Sequence, residues 1–204
     1  MSIWAIVPVK PLRLGKSRLA GVLSDDERSV LNRMFLENAL DMLRATPKVG
    51  QTLVVSRDPY ALAVAREFGA RTVLEDGSPN LNNALERATL LARTFNVEGI
   101  LILPADLPLL THADIETFVK AHEKGKGPRR VTITADRHND GTNALLISPP
   151  GLISYSYGPG SFERHCELAR AKNAHVQVIQ NPNLALDLDT PEDLELLNSA
   201  MSKE

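Results

Sequence analysis

The chain has 204 residues, 43% of them apolar and 24% charged, enough apolar side chains to build one large core. Lys and Arg number 23 against 25 Asp and Glu, a net charge of -2, which excludes the broadly basic surface of a general nucleic-acid coat protein. Cys166 is the single cysteine, so an intrachain disulfide framework and a multi-cysteine zinc site are excluded as well. No apolar run approaches the roughly 18 residues of a membrane span. The expectation is a soluble, cytoplasmic protein, one domain over residues 1–204, with no nucleic-acid or membrane partner. The oligomeric state stays open, a homodimer included.

Apolar runs alternate with amphipathic stretches along the whole chain. Ile3 to Val7 reads as a strand buried on both faces and halted by Pro8. Ser24-Asp25-Asp26-Glu27 is a capping box, and helical spacing follows to about Arg44 through Val30, Leu31, Met34, Phe35, Ala39 and Leu43. Thr52 to Ser56 is the next strand, then a helix from Pro59 to Phe68 stopped by Gly69. Arg71–Leu74 predicts a short strand, Leu81–Phe95 a helix, Gly99–Leu103 a strand and Thr111–Lys124 a helix. The pattern then changes, because Val131–Ala135 and Asn143–Ser148 are strands joined by a polar loop. A helix over Ser161–Lys172, a strand over Val176–Ile179 and a last helix capped by Thr190 with Pro191 at its first position complete the chain. This order predicts a three-layer α/β/α protein with a mostly parallel, mixed sheet.

Ligands in such sheets bind beyond the carboxyl ends of the strands. After the first strand the chain carries Lys10, Arg13, Lys16 and Arg18, and its first 24 residues contain no acid. A cationic loop there suits a polyanion such as a nucleoside triphosphate; a solvated loop that happens to be basic is the alternative. Gly15-Lys16-Ser17 looks like the end of a P-loop, but Lys10 stands where that motif needs glycine. The dinucleotide fingerprint is missing too. After the fourth strand, Pro104-Ala105-Asp106-Leu107-Pro108 presents one carboxylate on a restricted backbone. Such a group suits Mg²⁺, which takes one or two carboxylates plus substrate phosphates; a turn aspartate is the plain alternative. Asp187 and Asp189 are alternate residues before the Thr190 cap, so an extended backbone points both to one side. One could complete a metal site while the other supports the helix terminus, and simple capping would explain both.

In order and spacing these pieces resemble the 2-phospho-L-lactate / phosphoenolpyruvate guanylyltransferase family of coenzyme F-420 biosynthesis. The resemblance runs over essentially the whole chain and includes Leu81-Asn82-Asn83-Ala84-Leu85 and Gly158-Pro159-Gly160-Ser161-Phe162. It implies a GT-A-type nucleotidyltransferase fold, nucleotide-diphospho-sugar transferase-like, and transfer of GMP from GTP to phosphoenolpyruvate or 2-phospho-L-lactate. Lys16 and Arg18 match the basic motif that holds the GTP phosphates, with Lys10 in the same loop. Asn82 lies in the guanine-side loop, although Asn80 stands where the family often has glycine. Asp106 matches the metal-binding aspartate, with Asp187 or Asp189 as its partner for Mg²⁺. Lys16, Arg18 and Asp106 are thus the catalytic set, and Thr142, Gly158 and Ser161 match the acceptor site. Gly158-Pro159-Gly160-Ser161 leads into a helix, whose N-terminal N–H groups favour an anion; an ordinary turn with Ser161 as N-cap is the alternative.

The acceptor phosphate is already an anion, so attack on the α-phosphorus of GTP requires no general base. His165 and Cys166 are read as structural. Two alternatives stay open: a molybdopterin or sugar-phosphate nucleotidyltransferase of the same fold, and a non-catalytic nucleotide-binding protein.

Overall fold

The computed structural model describes residues 2–201. Its core is one seven-stranded sheet in the order β3-β2-β1-β4-β6-β5-β7. The strands are β1 (Ile3–Val9), β2 (Val49–Ser56), β3 (Arg71–Leu74), β4 (Gly99–Ile102), β5 (Arg130–Ala135), β6 (Thr142–Ser148) and β7 (His175–Val178). All pairings are parallel except those of β6, which runs antiparallel to both β4 and β5. The mixed sheet expected from the helix-free link between β5 and β6 is therefore present.

Strand alternation sorts the core into two layers. Ile3, Ala5 and Val7 face the helices α1 (Asp25–Arg44), α2 (Pro59–Glu67) and α4 (His112–Lys124). Trp4 and Ile6 face α3 (Leu81–Arg93) and α5 (Ser161–Ala171). Two further helices close the chain, the single turn α6 (Pro182–Ala185) and α7 (Pro191–Met201). Among the described residues no helix is long and apolar enough to cross a membrane.

Local signals set most boundaries. Ser24 and Glu27 form the expected reciprocal capping box on α1, and Thr111 with Asp114 forms another on α4. Three details depart from the sequence reading. Pro8 lies inside β1 opposite Val55, where its missing N–H is tolerated because β1 pairs with β4 only as far as Ile6, the last bond running from Leu103 N–H to Ile6 O. The buried stripe of α1 runs through Phe35, Leu36, Ala39, Leu40 and Leu43, leaving Val30 and Met34 exposed. The turn α6, capped by Asn181, is too short to carry a periodic pattern.

His122 ties α4 to the sheet. It is fully buried, with Nδ1 2.9 Å from Thr132 Oγ1 and Nε2 2.9 Å from Ser148 Oγ. Burial, reinforced by the charges of Arg130 and His175, lowers its pKa from 6.5 to about 4. The unfolded imidazole takes up a proton below about 6.5 while the folded one resists it, so the contribution is complete above that pH and is lost as pH falls toward 4. On the order of 3 kcal/mol rides on this gap. Urea unfolding free energies are expected to drop between pH 7 and pH 4.5, and less in His122→Gln than in the native chain. Equal drops in both would assign the pH dependence to other groups.

Candidate active site

The order of strands reverses between β1 and β4, and the loops that leave their carboxyl ends diverge there. A cleft of about 430 Å³ opens at this point, the size of a small-molecule site. Lys10, Gly15 and Lys16 line it from the loop after β1, Pro104 to Asp106 from the loop after β4, and Asp187 and Asp189 from the segment before α7.

The basic loop after β1 is held in place by buried polar contacts. Leu12 N–H donates to Asp58 Oδ2 at 2.9 Å, and Asn32 Nδ2 donates to Leu12 O at 2.7 Å. Arg28, itself buried, reaches Gly15 O from α1 at 3.3 Å and pairs with Asp25. A Cβ on Gly15 would lie 2.7 Å from Asn32 Nδ2, so a larger residue there would push the Asn32 amide that holds Leu12 O. Lys16 follows in the left-handed region at φ 58°, which turns its side chain down into the cleft. The 3₁₀ turn Ser17–Leu19 then plugs Leu19 into a small cluster with Phe35 and Leu188.

That cluster brings the distant acids to the loop. Leu188 is fully buried in it, its N–H donates to Asp106 O at 3.0 Å, and its neighbours Asp187 and Asp189 both line the cleft. The alternation expected of this segment is thus present. Neither acid caps α7: Asp193 accepts from the N–H groups of Asp189 and Thr190 at 3.0 and 2.7 Å and from Thr190 Oγ1 at 2.9 Å.

The cations and acids sit in contact. Lys16 Nζ lies 2.8 Å from Asp106 Oδ2, with the lysine side chain 3% and the aspartate 39% exposed. Arg18 Nη1 lies 2.7 Å from Asp189 Oδ2 on the exposed rim. Asp187 has no cationic partner among the ion pairs of the described residues; burial raises its pKa, the charge of Asp106 raises it further, and Asn143 Nδ2 at 3.3 Å opposes the rise. Two mutually repelling carboxylates suit a hard divalent cation completed by phosphate oxygens. No group of three acidic, His or Cys side chains among the described residues is arranged to hold a metal by itself. All three acids expected at the metal line the cleft, Asp106 paired with Lys16, Asp189 with Arg18, and Asp187 with neither.

The acceptor side behaves unevenly. Thr142 opens β6 on the cleft wall, and Ser161 is buried directly behind it, its Oγ 3.2 Å from Thr142 Oγ1. Gly158 lies outside the cleft lining, at φ 125°, with its carbonyl accepting Ser161 N–H at 3.0 Å. The expected free N–H groups at the start of α5 are therefore partly spent, since Phe162 N–H also donates, to Asp140 O at 3.0 Å. Ser161 is not the N-cap; Gly160 is.

Asn82 does not present its amide to the cleft. Its Oδ1 accepts Tyr157 N–H at 2.7 Å and its Nδ2 donates to Tyr157 O at 3.3 Å. Near the start of α3 the side chain turns toward the 155–158 segment and secures the Tyr157 wall. Arg57, Glu75, Asn143 and Tyr157 line the cleft and were not anticipated. Arg57 and Glu75 directly follow β2 and β3, so the rule that directed attention to β1 and β4 points to them equally.

A phosphoenolpyruvate guanylyltransferase of Rubrobacter xylanophilus is 42% identical over 200 residues, covering 98% of this chain and 95% of that protein. A 2-phospho-L-lactate guanylyltransferase of Methanocaldococcus vulcanius is 34% identical, with 93% and 81% covered. In shape the chain is similar to 4-diphosphocytidyl-2C-methyl-D-erythritol synthase of Anaerococcus prevotii, with a TM-score of 0.66 over 98% of this chain and 96% of that one. Identity to it is 12%, so that likeness speaks for the GT-A-type nucleotidyltransferase fold alone. The family profile described as "Guanylyl transferase CofC like" matches residues 3–200, and the chain belongs to that guanylyltransferase family.

Proposed function

We propose that this protein transfers GMP from GTP to the phosphate of phosphoenolpyruvate, releasing pyrophosphate, within coenzyme F-420 biosynthesis. The observation that carries the reading is the meeting of Lys16 with Asp106 in a cleft at the reversal of strand order, with Arg18 paired to Asp189 at its rim. The acceptor follows from the 42% identical relative named for phosphoenolpyruvate. 2-Phospho-L-lactate is the second acceptor to offer, given the relative named for it.

A phosphate oxygen of the acceptor attacks the α-phosphorus of GTP, the bond from that phosphorus to the bridging oxygen of the β-phosphate breaks, and the electron pair leaves with pyrophosphate. No proton has to be removed from the nucleophile, so the protein's task is alignment and charge stabilisation. Lys16, shielded from water, holds the triphosphate and stabilises charge that builds toward the leaving group. Arg18, more exposed, contributes a screened attraction at the rim. Asp106 and Asp187 would hold Mg²⁺, which supplies neutralisation of phosphate charge and polarisation of a phosphoryl oxygen. Lys10 extends the cationic wall. Thr142, backed by Ser161, takes an anionic group of the acceptor, while Gly158 lets the chain turn behind it.

Pyrophosphate release that requires GTP, Mg²⁺ and acceptor together is the expected behaviour; release from GTP alone, independent of acceptor, would contradict it. The division of the cleft is tested by Thr142→Val, which keeps the β-branched shape and removes the hydroxyl. The Michaelis constant for the acceptor should rise about 10-fold or more, as for a hydrogen bond to a charged group, with that for GTP nearly unchanged. A loss confined to GTP would move Thr142 to the nucleotide side.

A further inference from the structure

The acceptor wall contains a histidine for which the proposed reaction has no direct use. His165 on α5 is fully buried and yet bonded at both ring nitrogens. Its Nε2 accepts the N–H of Ser156 at 2.9 Å, and its Nδ1 lies 3.0 Å from Thr142 Oγ1. A backbone N–H can only donate, so Nε2 must be the bare nitrogen, and a neutral imidazole then carries its proton on Nδ1. The ring is kept neutral: burial, helped by the Arg164 guanidinium, lowers its pKa from 6.5 to about 4, and the Tyr157 ring packs edge-on at 4.9 Å.

The consequence lies at Thr142. Nδ1–H donates to its Oγ1, and Ser161 Oγ donates to the same oxygen at 3.2 Å. A threonine hydroxyl has two acceptor sites and one proton. With both acceptor sites filled from the helix side, the proton is left to point away from α5, on a residue that lines the cleft. The orientation is locked one step further back. Arg164 holds Ser156 through Nε to Oγ at 2.8 Å and Nη2 to O at 2.8 Å, and so fixes the N–H that selects the tautomer.

We propose that His165 is a positioning residue for the acceptor: its Nδ1–H, with Ser161, makes the Thr142 hydroxyl a donor directed at a carboxylate or phosphate oxygen in the cleft. With the other tautomer, Thr142 would spend its proton on Nδ1 and offer the anion only lone pairs. The inference rests on the acceptor reading given above.

The test combines a spectroscopic and a kinetic measurement. In ¹⁵N-labelled native protein at pH 7, the His165 nitrogens should report the neutral form protonated at Nδ1; the Nε2-protonated form would overturn the proposal. His165→Asn keeps a donor near the Nδ1 position, and His165→Gln keeps an acceptor near Ser156 but no donor to Thr142. The acceptor Michaelis constant should stay within about 3-fold in the first and rise about 10-fold in the second, a charge-assisted hydrogen bond being at stake. The GTP constant and the turnover at saturation should hold within about 2-fold in both. Added to Thr142→Val, His165→Gln should cost almost nothing further, because the histidine acts through that hydroxyl. A full additional loss in that background, or equal loss for GTP and acceptor, would overturn it. If Thr142→Val alone leaves the acceptor constant unchanged, the acceptor reading fails and takes this inference with it. If Thr142→Val raises it while His165→Gln does not, the acceptor reading stands and this inference alone falls. Should His165→Gln not fold, the tautomer in the native protein decides.

Discussion

Asp106→Asn is expected to lower turnover at saturating GTP, Mg²⁺ and phosphoenolpyruvate by at least about 100-fold, the scale of removing a principal electrostatic stabiliser. The fold should survive, because the contact that places Asp106 is made by its backbone carbonyl with Leu188 N–H and its side chain is partly exposed. The same change should act in the opposite sense on nucleotide binding without metal. Lys16 spends its charge on Asp106 at 2.8 Å, and an amide competes with the triphosphate less well than a carboxylate does. GTP titrated in a chelator should therefore bind Asp106→Asn at least as tightly as it binds the native chain, while the gain on adding Mg²⁺ should largely vanish. Near-normal turnover with an unchanged melting curve would remove Asp106 from the reaction.

Lys16→Met should reduce kcat/KM for GTP by about 100- to 1,000-fold, since a water-shielded cation stabilises phosphate charge far better than an exposed one. Methionine keeps most of the stem, which passes Phe35 with Nζ 5.9 Å from the ring centroid, and it neither relieves nor adds to the strain at φ 58°. Asp106 loses its partner in this variant, so stability is measured alongside kinetics. The double variant Lys16→Met/Asp106→Asn, which removes both charges, should recover any stability lost without recovering activity. Normal GTP affinity in Lys16→Met together with a lowered melting temperature would make the lysine a structural ion-pair partner only. Arg18, 70% exposed in its pair with Asp189, should matter less, and its effect should fade as salt rises.

What could be read before the fold was known follows from the range of the interactions involved. Caps at Ser24, Thr111 and Thr190, the break at Gly69, and the helix-free β5–β6 link are signals spread over three or four residues. They predict the element order and the antiparallel turn of the sheet. Asp187 and Asp189 were legible as a pair because an extended backbone alternates its side chains, whichever protein it belongs to. Their approach to the basic loop, where Asp189 pairs with Arg18, was not. It depends on Leu188 and Leu19 entering one apolar cluster with Phe35, three residues from separate parts of the chain. The same holds for Asn82, whose amide is satisfied by a backbone 75 positions away, and for His165, whose tautomer is set by Ser156 and felt at Thr142. Arg57 and Glu75 are a different case: they stand at strand ends where a ligand-facing residue is expected, beside stretches with no motif to single them out.

Incubation of the native protein with GTP, Mg²⁺ and, in separate reactions, phosphoenolpyruvate, 2-phospho-L-lactate or 3-phosphoglycerate, followed by mass spectrometry of the products, tests the central claim most directly. The account predicts a GMP adduct joined through a new phosphoanhydride to the acceptor phosphate, formed most rapidly with phosphoenolpyruvate and in equal amount to pyrophosphate. GTP recovered intact with every acceptor, or cleaved to GMP or GDP without an adduct, would contradict it.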